Sequence, residues 1–558
     1  MSEDNNISEF KAKDQNIVEN KELNFYEALI PVIILMALLA YNIFFVESQE
    51  WFGTYTNQII LLLGGLVAAA VGFFNKVTFG GMLKEIWENL KSVFVPIMIL
   101  FLVGALAGTW LISGVIPAMV YYGLQVLSPE IFLPASVIIA AVISIATGSS
   151  WTTSATVGIA LVGIGTALGI HPGMIAGAVI SGAYFGDKMS PLSDTTNLAP
   201  AMAGTDLFTH IKYMAYTTVP TIIVTLIVFG VISATIETSG NADVSQILDT
   251  IGTTFNITPW LFLVPVAVVA LILLKTKPLI ALSSGVILAI IFALIFQGNI
   301  VDKITDSKGK TIVNAVFTDT NIPIDDATFM ANLSERDLQT IKENEDISPL
   351  FDADKDIEKN FSNEELIGLF AFANYDDATL KTKVDSLSRL LTIDKLKKLF
   401  NSGGMNGMIW TILLIVCAMV FGGIMDAIGA LARITKALLS VATTIFGLFA
   451  STVVSCLGLN AIASDQYLAI VIPGKMFKKA FDDKGLAPEN LSRTLEDSGT
   501  VTSVLIPWNT CGAYQSGVLG VEVSQYFMYA IFNWMSPFTT LLFAAFRIKI
   551  RQISGKLN

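Results

Sequence analysis

The chain has 558 residues, of which 53% are apolar or aromatic and only 14% are charged, against roughly 25% charged in soluble proteins. So few charges cannot cover a soluble surface, and a mean hydropathy of +0.65 excludes a secreted or cytosolic soluble enzyme. The formal charge of −12 disfavours a nucleic-acid partner, which needs clustered Lys and Arg to neutralise phosphates.

Residues 1–24 form a polar tail of mixed charge. It lacks a short apolar core with a small-residue cleavage site, so no removable signal peptide is expected. A membrane span needs about 20 mostly apolar residues. Candidates are Phe25–Val46, Gln58–Phe74, Val93–Ile112, Ile131–Ile145, Tyr216–Ile236, Pro259–Leu274, Pro278–Phe296, Ile409–Met425 and Ala437–Leu457, with one or two more in Phe527–Phe546. Segments 146–170, 172–200, 461–475 and 497–520 are apolar but interrupted by Gly, Ser, Thr, Pro and Asp. Irregular backbone at membrane depth is tolerated only inside protein or around a cavity, so function is expected there. The fold expected is an all-α polytopic membrane protein of about 10–13 transmembrane helices, in two inverted-topology repeats with broken helices or re-entrant hairpins.

Lys and Arg in short loops set the orientation. The 47–57 and 237–258 loops have none, whereas Lys76, Lys84, Lys91, Lys275 and Lys277 mark loops expected in the cytoplasm with both termini. The resulting division is a cytoplasmic tail 1–24, an N-terminal membrane half 25–298, a polar extracytoplasmic insertion 299–404, a C-terminal membrane half 405–546, and a basic cytoplasmic tail 547–558. The insertion has helix-like patterns at 364–370 and 387–400. Its Asp352-Ala-Asp354-Lys-Asp356 run hints at a calcium loop, but Ile357 replaces the turning Gly and Asn363 the bidentate Glu. A small helical domain or a solvated insertion is the better reading. Cys417, Cys456 and Cys511 are far apart and read as small buried hydrophobes, neither a disulfide framework nor a metal site.

The two halves resemble each other weakly. The run from Gly108 to Gly114 matches 422–428, Gly148 and Ser154 match Gly458 and Ser464, and Pro191 with Asp194–Asn197 matches Pro507–Thr510. The basic loop 76–92 starts the span at 93 inside, and the insertion starts the span near 409 outside. Opposite topology of related halves is a transporter architecture, with sites near the midplane.

Four polar constellations stand in these apolar surroundings. Thr147-Gly-Ser149-Ser150-Trp-Thr152-Thr153-Ser154 offers hydroxyl and freed carbonyl oxygens, hard ligands for a cation; small-residue helix packing is the competing reading. Gly186–Asn197 contains Asp187, Ser190, Asp194, Thr195, Thr196 and Asn197, where a solvated loop is the alternative. A carboxylate in the bilayer costs roughly 2.5–3.5 kcal/mol on insertion scales and should face the bundle interior or water. The second half adds Asn460, Ser464 and Asp465, then Asp497, Thr500, Asn509 and Thr510. Asp426 is either a site carboxylate or the partner of Arg433, and His210 reads as a loop residue rather than a proton relay. Phosphate-loop and Gly-x-Ser-x-Gly patterns are missing, so neither ATP hydrolysis nor esterase chemistry is expected.

The strings Gly148-Ser-Ser-Trp-Thr-Thr153, Phe185–Asn197 and Pro507-Trp-Asn-Thr-Cys-Gly-Ala513 resemble the NhaC family of sodium/proton antiporters, within the ion-transporter superfamily. The resemblance covers most of 25–298 and 405–546, whereas the long insertion departs from the family pattern. It implies a multi-pass protein of the cytoplasmic membrane that exchanges Na⁺ for H⁺ without a cofactor, although some members exchange organic solutes such as malate and lactate. Asp187 or Asp194 is then the expected coupling carboxylate. Asp187, Asp194 and Asn197 are expected around Na⁺, with the hydroxyls of Ser150, Thr152 and Thr153. Asp465, Asp497, Asn509 and Thr510 are expected from the other half. A coupled carrier of a small organic anion or amino acid, with Trp151, Trp508 and Tyr514 around a larger cavity and Lys188 paired to a carboxylate, is the second reading. A passive channel and a membrane enzyme follow. A homodimer is among the assemblies the sequence allows.

Overall fold

The computed structural model describes residues 23–46, 51–235, 244–274, 276–305, 307–351, 361, 363–373 and 375–553. The acidic run at 352–356 lies outside them, as do 1–22 and 554–558 of the two tails. Among the described residues the fold is all-α apart from one two-residue strand pair.

The first half comprises α1 (Phe25–Phe45), α2 (Thr56–Phe74), α3 (Phe79–Ser92), α4 (Phe94–Ile112), α5 (Val115–Val126), α6 (Pro129–Thr147), α7 (Ser150–Thr153), α8 (Ile159–Ala167), α9 (Pro172–Met189), α10 (Asp194–Ala203), α11 (Leu207–Thr235), α12 (Val244–Thr254), α13 (Leu263–Leu273) and α14 (Pro278–Phe296). The insertion contributes α15 (Gly298–Ile304), α16 (Lys308–Phe317), β1 (Thr320–Asn321), α17 (Ala327–Met330), α18 (Glu335–Glu343), α19 (Asn363–Leu369), α20 (Asp377–Leu399) and β2 (Asn401–Ser402). The second half follows as α21 (Ile409–Ala427), α22 (Ala430–Ser440), α23 (Ile445–Ile462), α24 (Gln466–Asp483), α25 (Pro488–Leu495), α26 (Thr510–Leu519), α27 (Val523–Tyr526) and α28 (Ile531–Ala545).

Among the described residues, eight helices are individually long and apolar enough to span, and α12 with α13 makes a pair bent by 88°. The outward faces of these helices carry exposed Ile, Val, Leu and Phe, as a lipid-facing surface requires. This is a multi-pass membrane protein. Of the four interrupted segments, 172–189 is one continuous helix, and its chain break falls at 190–193.

The order of elements recurs between the halves. The helices α4, α5 and α6 begin at 94, 115 and 129, and α21, α22 and α23 at 409, 430 and 445. Left-handed backbone occurs at Gly114, Gly148, Gly169 and Gly204, and again at Gly429, Ser464, Gly485 and Gly520. Gly148 and Ser464 thus share a left-handed backbone just beyond the ends of α6 and α23. The match of Gly148 to Gly458 fails because Gly458 lies inside α23.

Helix α9 packs along α6 in the same direction: a Cβ on Gly182 would strike the Val137 carbonyl, and one on Gly186 the Ala141 carbonyl. Small residues let backbones approach this closely without bulky side chains between them. Ser144 Oγ seals the contact by donating to Ala183 O at 2.5 Å.

The insertion is anchored to the bundle. Cβ atoms on Gly104 and Gly108 of α4 would strike Gly404 and Ala315 backbone. Arg389 of α20 pairs with Asp249 of α12 at 3.2 Å. Beyond this seam the insertion has its own apolar core, including Leu333, Ile341, Leu366, Phe370 and Leu387.

Candidate functional site

Two hairpin tips and two helix breaks meet inside the bundle. Helix α6 ends at Gly148, φ +70°, where a Cβ would lie 2.5 Å from Leu192 Cβ; only glycine fits both the space and the left-handed turn. Ser149 then caps α7, its hydroxyl accepting from Thr152 N at 3.2 Å and Thr152 Oγ1 at 3.1 Å. Thr153 Oγ1 donates to Ser149 O at 2.9 Å. The second tip repeats the design with Ser464 at φ +59° and Asp465 capping α24, accepting from Leu468 N at 3.0 Å.

The break after α9 is closed by Ser190 Oγ donating to Ile145 O at 2.8 Å. Ser193 caps α10, accepting from Thr196 N at 3.3 Å. The matching break at 506–509 ends on Asn509, which accepts from Cys511 N at 3.0 Å. It is tied to the second tip by Thr510 N donating to Ser464 O at 3.0 Å and by Asn509 Nδ2 donating to Asn460 O at 3.0 Å. Asn460 in turn donates to Gly499 O at 2.7 Å and Thr502 Oγ1 at 3.0 Å. The segment Glu496–Thr500 continues α25 as a π turn, the wider helix that recurs at functional positions.

The charged groups lie in this frame. Asp187 is 6% exposed; Ser150 donates to its Oδ2 through Oγ at 2.7 Å and through N at 3.3 Å, while its Oδ1 is buried without a partner. Thr196 Oγ1 donates to the Asp187 carbonyl at 3.1 Å. Glu496 is fully buried and within Coulombic reach of Asp187 and Lys188. It accepts from Thr195 Oγ1 at 3.1 Å and leaves Oε2 unpartnered. Asp497 is saturated: Lys188 Nζ and Thr540 Oγ1 donate to it, as does Thr217 Oγ1 at 2.8 Å. Lys188 also donates to Ser536 Oγ at 3.2 Å. Ser464 Oγ and Thr500 Oγ1 are among the other buried oxygens without partners, with Ser154 Oγ and Tyr184 OH.

Asp194 and Asn197 sit on the exposed rim. Asp194 accepts from Thr195 N at 2.9 Å and from Tyr467 OH, within Coulombic reach of Asp187. Asn197 donates to Ser193 O at 2.5 Å and Pro191 O at 3.0 Å. Thr510 Oγ1 turns back on Asn509 Oδ1 at 3.5 Å.

Asp426 is half-buried at the end of α21, and Arg433 Nε donates instead to the Leu23 carbonyl at 2.8 Å. His210 is not a loop residue: it is fully buried in the first turn of α11, with Nδ1 2.9 Å from Ser492 Oγ. Trp151 stacks on Tyr514 at 4.0 Å, Tyr514 OH donates to Trp151 O at 3.1 Å, and Trp508 donates to Ala461 O at 2.7 Å. The aromatic residues thus tie α7 to α26 and the 506–509 break to α23. Among the described residues no cluster of three or more His, Cys, Asp or Glu is arranged to hold a resident metal.

Sequence reasoning underrated Glu496, although an acidic pair leading into Ser-Gly-Thr marks it. It also missed Thr217, Ser536 and Thr540, for which a lone hydroxyl in an apolar helix gives no signal distinct from helix packing.

A profile of the Na⁺/H⁺ antiporter family matches residues 182–318 and 378–548. The Na⁺/H⁺ antiporter NhaC of Alkalihalophilus pseudofirmus is 33% identical, over 94% of this chain and 96% of that protein. The malate-2H⁺/Na⁺-lactate antiporter of Bacillus subtilis is 29% identical over 92% of each. The arginine/ornithine antiporter ArcD of Halobacterium salinarum is 30% identical over 94% of this chain and 92% of that protein. By profile and by near-full-length identity, the chain belongs to the Na⁺/H⁺ antiporter family.

Proposed function

We propose that the protein is a secondary transporter, not an enzyme, which exchanges Na⁺ for H⁺ by alternating access, with Asp187 as the carboxylate that takes either ion. The observation that carries this reading is a buried excess of negative charge with open oxygens. Asp187, Asp465, Glu496 and Asp497 are each buried, as is Lys188, and Lys188 is spent on Asp497. Asp187 Oδ1 then needs a cation or a proton, because an unpaired buried charge is strongly disfavoured. Na⁺ would take Asp187 Oδ1 beside the hydroxyl of Ser150; a proton would neutralise the same carboxylate. Occupancy by one excludes the other, and that exclusion couples the fluxes. Na⁺ and H⁺ are cargo, and the scheme needs no cofactor. Asp194 and Asn197, on the rim, serve as entry groups.

The recurrence of hairpin and broken helix in both halves supports an inverted repeat whose halves exchange roles between inward- and outward-open states. The basic segment 76–92, which the structure folds largely into α3, and the basic C-terminal tail support cytoplasmic termini.

In proteoliposomes with an imposed Na⁺ gradient, Asp187→Asn should abolish proton movement while the protein still folds, since Asn retains an acceptor for Ser150. Asp194→Asn should slow exchange without abolishing it. Undiminished exchange by Asp187→Asn would overturn the assignment. Organic-solute exchange rests on the names of two relatives.

A further inference from the structure

Helix α25 and the first residue of the π turn that continues it carry a second set of open polar atoms. Glu489, Arg493 and Glu496 follow at i, i+4 and i+7, so they share one helical face. All three are at least nine-tenths buried. Glu489 Oε2, Glu496 Oε2 and the three guanidinium nitrogens of Arg493 have no partner. Arg493 lies over the rings of Tyr213 at 4.6 Å and Phe543 at 5.8 Å, which hold its plane but accept none of its five N–H bonds. Leaving a whole guanidinium and two carboxylate oxygens dry is prohibitive. Alternating acceptors, donors and acceptors over about 10 Å of helix are what a file of waters satisfies, each water needing two to four polar partners.

The outer end of the file is at solvent. Glu489 Oε1 accepts from Arg551 at 2.9 Å, and the Arg551 side chain is 38% exposed. The C-terminal tail clamps that mouth: Ala487 N and Asn490 Nδ2 donate to Arg551 O at 2.9 and 2.7 Å. Facing groups from neighbouring elements are His210 and Tyr213 of α11, Thr195 of α10 and Lys188 of α9, within Coulombic reach of Glu496.

We propose that Glu489, Arg493 and Glu496 line a hydrated proton file joining the membrane face that carries the C-terminal tail to the central carboxylates. Glu489 is its mouth: it exchanges protons with bulk water and relays them inward along the hydrogen-bonded waters that Arg493 holds, while Na⁺ reaches Asp187 by another route. This proposal rests on the Na⁺/H⁺ exchange reading.

The test compares two fluxes in vesicles of the full chain: Na⁺-driven proton movement, and ²²Na⁺/Na⁺ counterflow at equal pH, which moves no net protons. Glu489→Gln should lower the first at least about tenfold, as loss of a positioned proton-transfer group does, and spare the second; Glu489→Asp should restore it. Arg551→Gln breaks the same ion pair but keeps the carboxylate, so it should retain proton movement. Unchanged fluxes in Glu489→Gln would overturn the file. So would an Arg551→Gln variant that loses proton movement as Glu489→Gln does, because the clamp would then be the cause. Wild-type vesicles that move no protons on a Na⁺ gradient would instead refute the exchange reading itself.

Discussion

Lys188 of α9 and Asp497 of the π turn, 309 residues apart in the chain, form an ion pair with both side chains fully buried. The pair joins the broken helix of one half to that of the other, at the centre of the site.

Removing one member of a buried pair leaves an uncompensated charge and costs about 3–5 kcal/mol. Lys188→Met should therefore lower the melting temperature of the detergent-solubilised protein sharply. The double variant Lys188→Met with Asp497→Leu should recover much of the loss. A single variant that melts like the wild type would show that the pair is not what holds the halves together.

The two tips differ at one backbone position. Gly148 and Ser464 both have left-handed φ, but nothing at Ser464 forbids a side chain. Gly148→Ala adds a Cβ 2.5 Å from Leu192 Cβ and should destabilise by more than about 2 kcal/mol. Ser464→Gly relieves about 1 kcal/mol of left-handed strain and should melt no lower than the wild type. Thermal unfolding of both variants checks the contrast.

If Na⁺ binds at Asp187, it stabilises the fold by mass action, by about 2.7 kcal/mol at a hundred times its dissociation constant. Melting temperature should rise with NaCl above an equal concentration of choline chloride. That difference should vanish in Asp187→Asn.

The insertion has its own acid-sensitive lock. Burial alone would raise the Asp337 carboxyl, but Lys383 Nζ at 2.5 Å, Ser334 Oγ at 2.6 Å and N at 2.8 Å, and Tyr375 OH at 2.8 Å outweigh it and hold the group at about 2. A carboxyl held below its unfolded value adds stability that is present above about pH 4 and is lost as pH falls toward 2. Pepsin should therefore cut within 330–391 increasingly as pH drops through that window. Asp337→Asn should leave the insertion open to trypsin at neutral pH.

Much of the architecture is legible in the chain alone. Apolar runs of span length set the helices, because a bilayer demands internal hydrogen bonding over about 30 Å. Gly148, Asp187 and the Pro507-Trp-Asn509 break stand out, since polar residues and glycine in so dry a body need a local reason. Three things were decided only by tertiary structure. The likeness of Gly148 to Ser464 depends on backbone conformation, which two unlike residues share. The division among the acids depends on partners hundreds of residues away: Lys188, Thr217 and Thr540 saturate Asp497, Asp187 keeps an open oxygen, and Asp194 lies on the rim. The third is the face of Glu489, Arg493 and Glu496, whose spacing is visible in sequence but whose lack of partners is a property of the packed bundle. Sequence names the polar groups that a membrane interior must accommodate; only packing decides which of them remain unsatisfied.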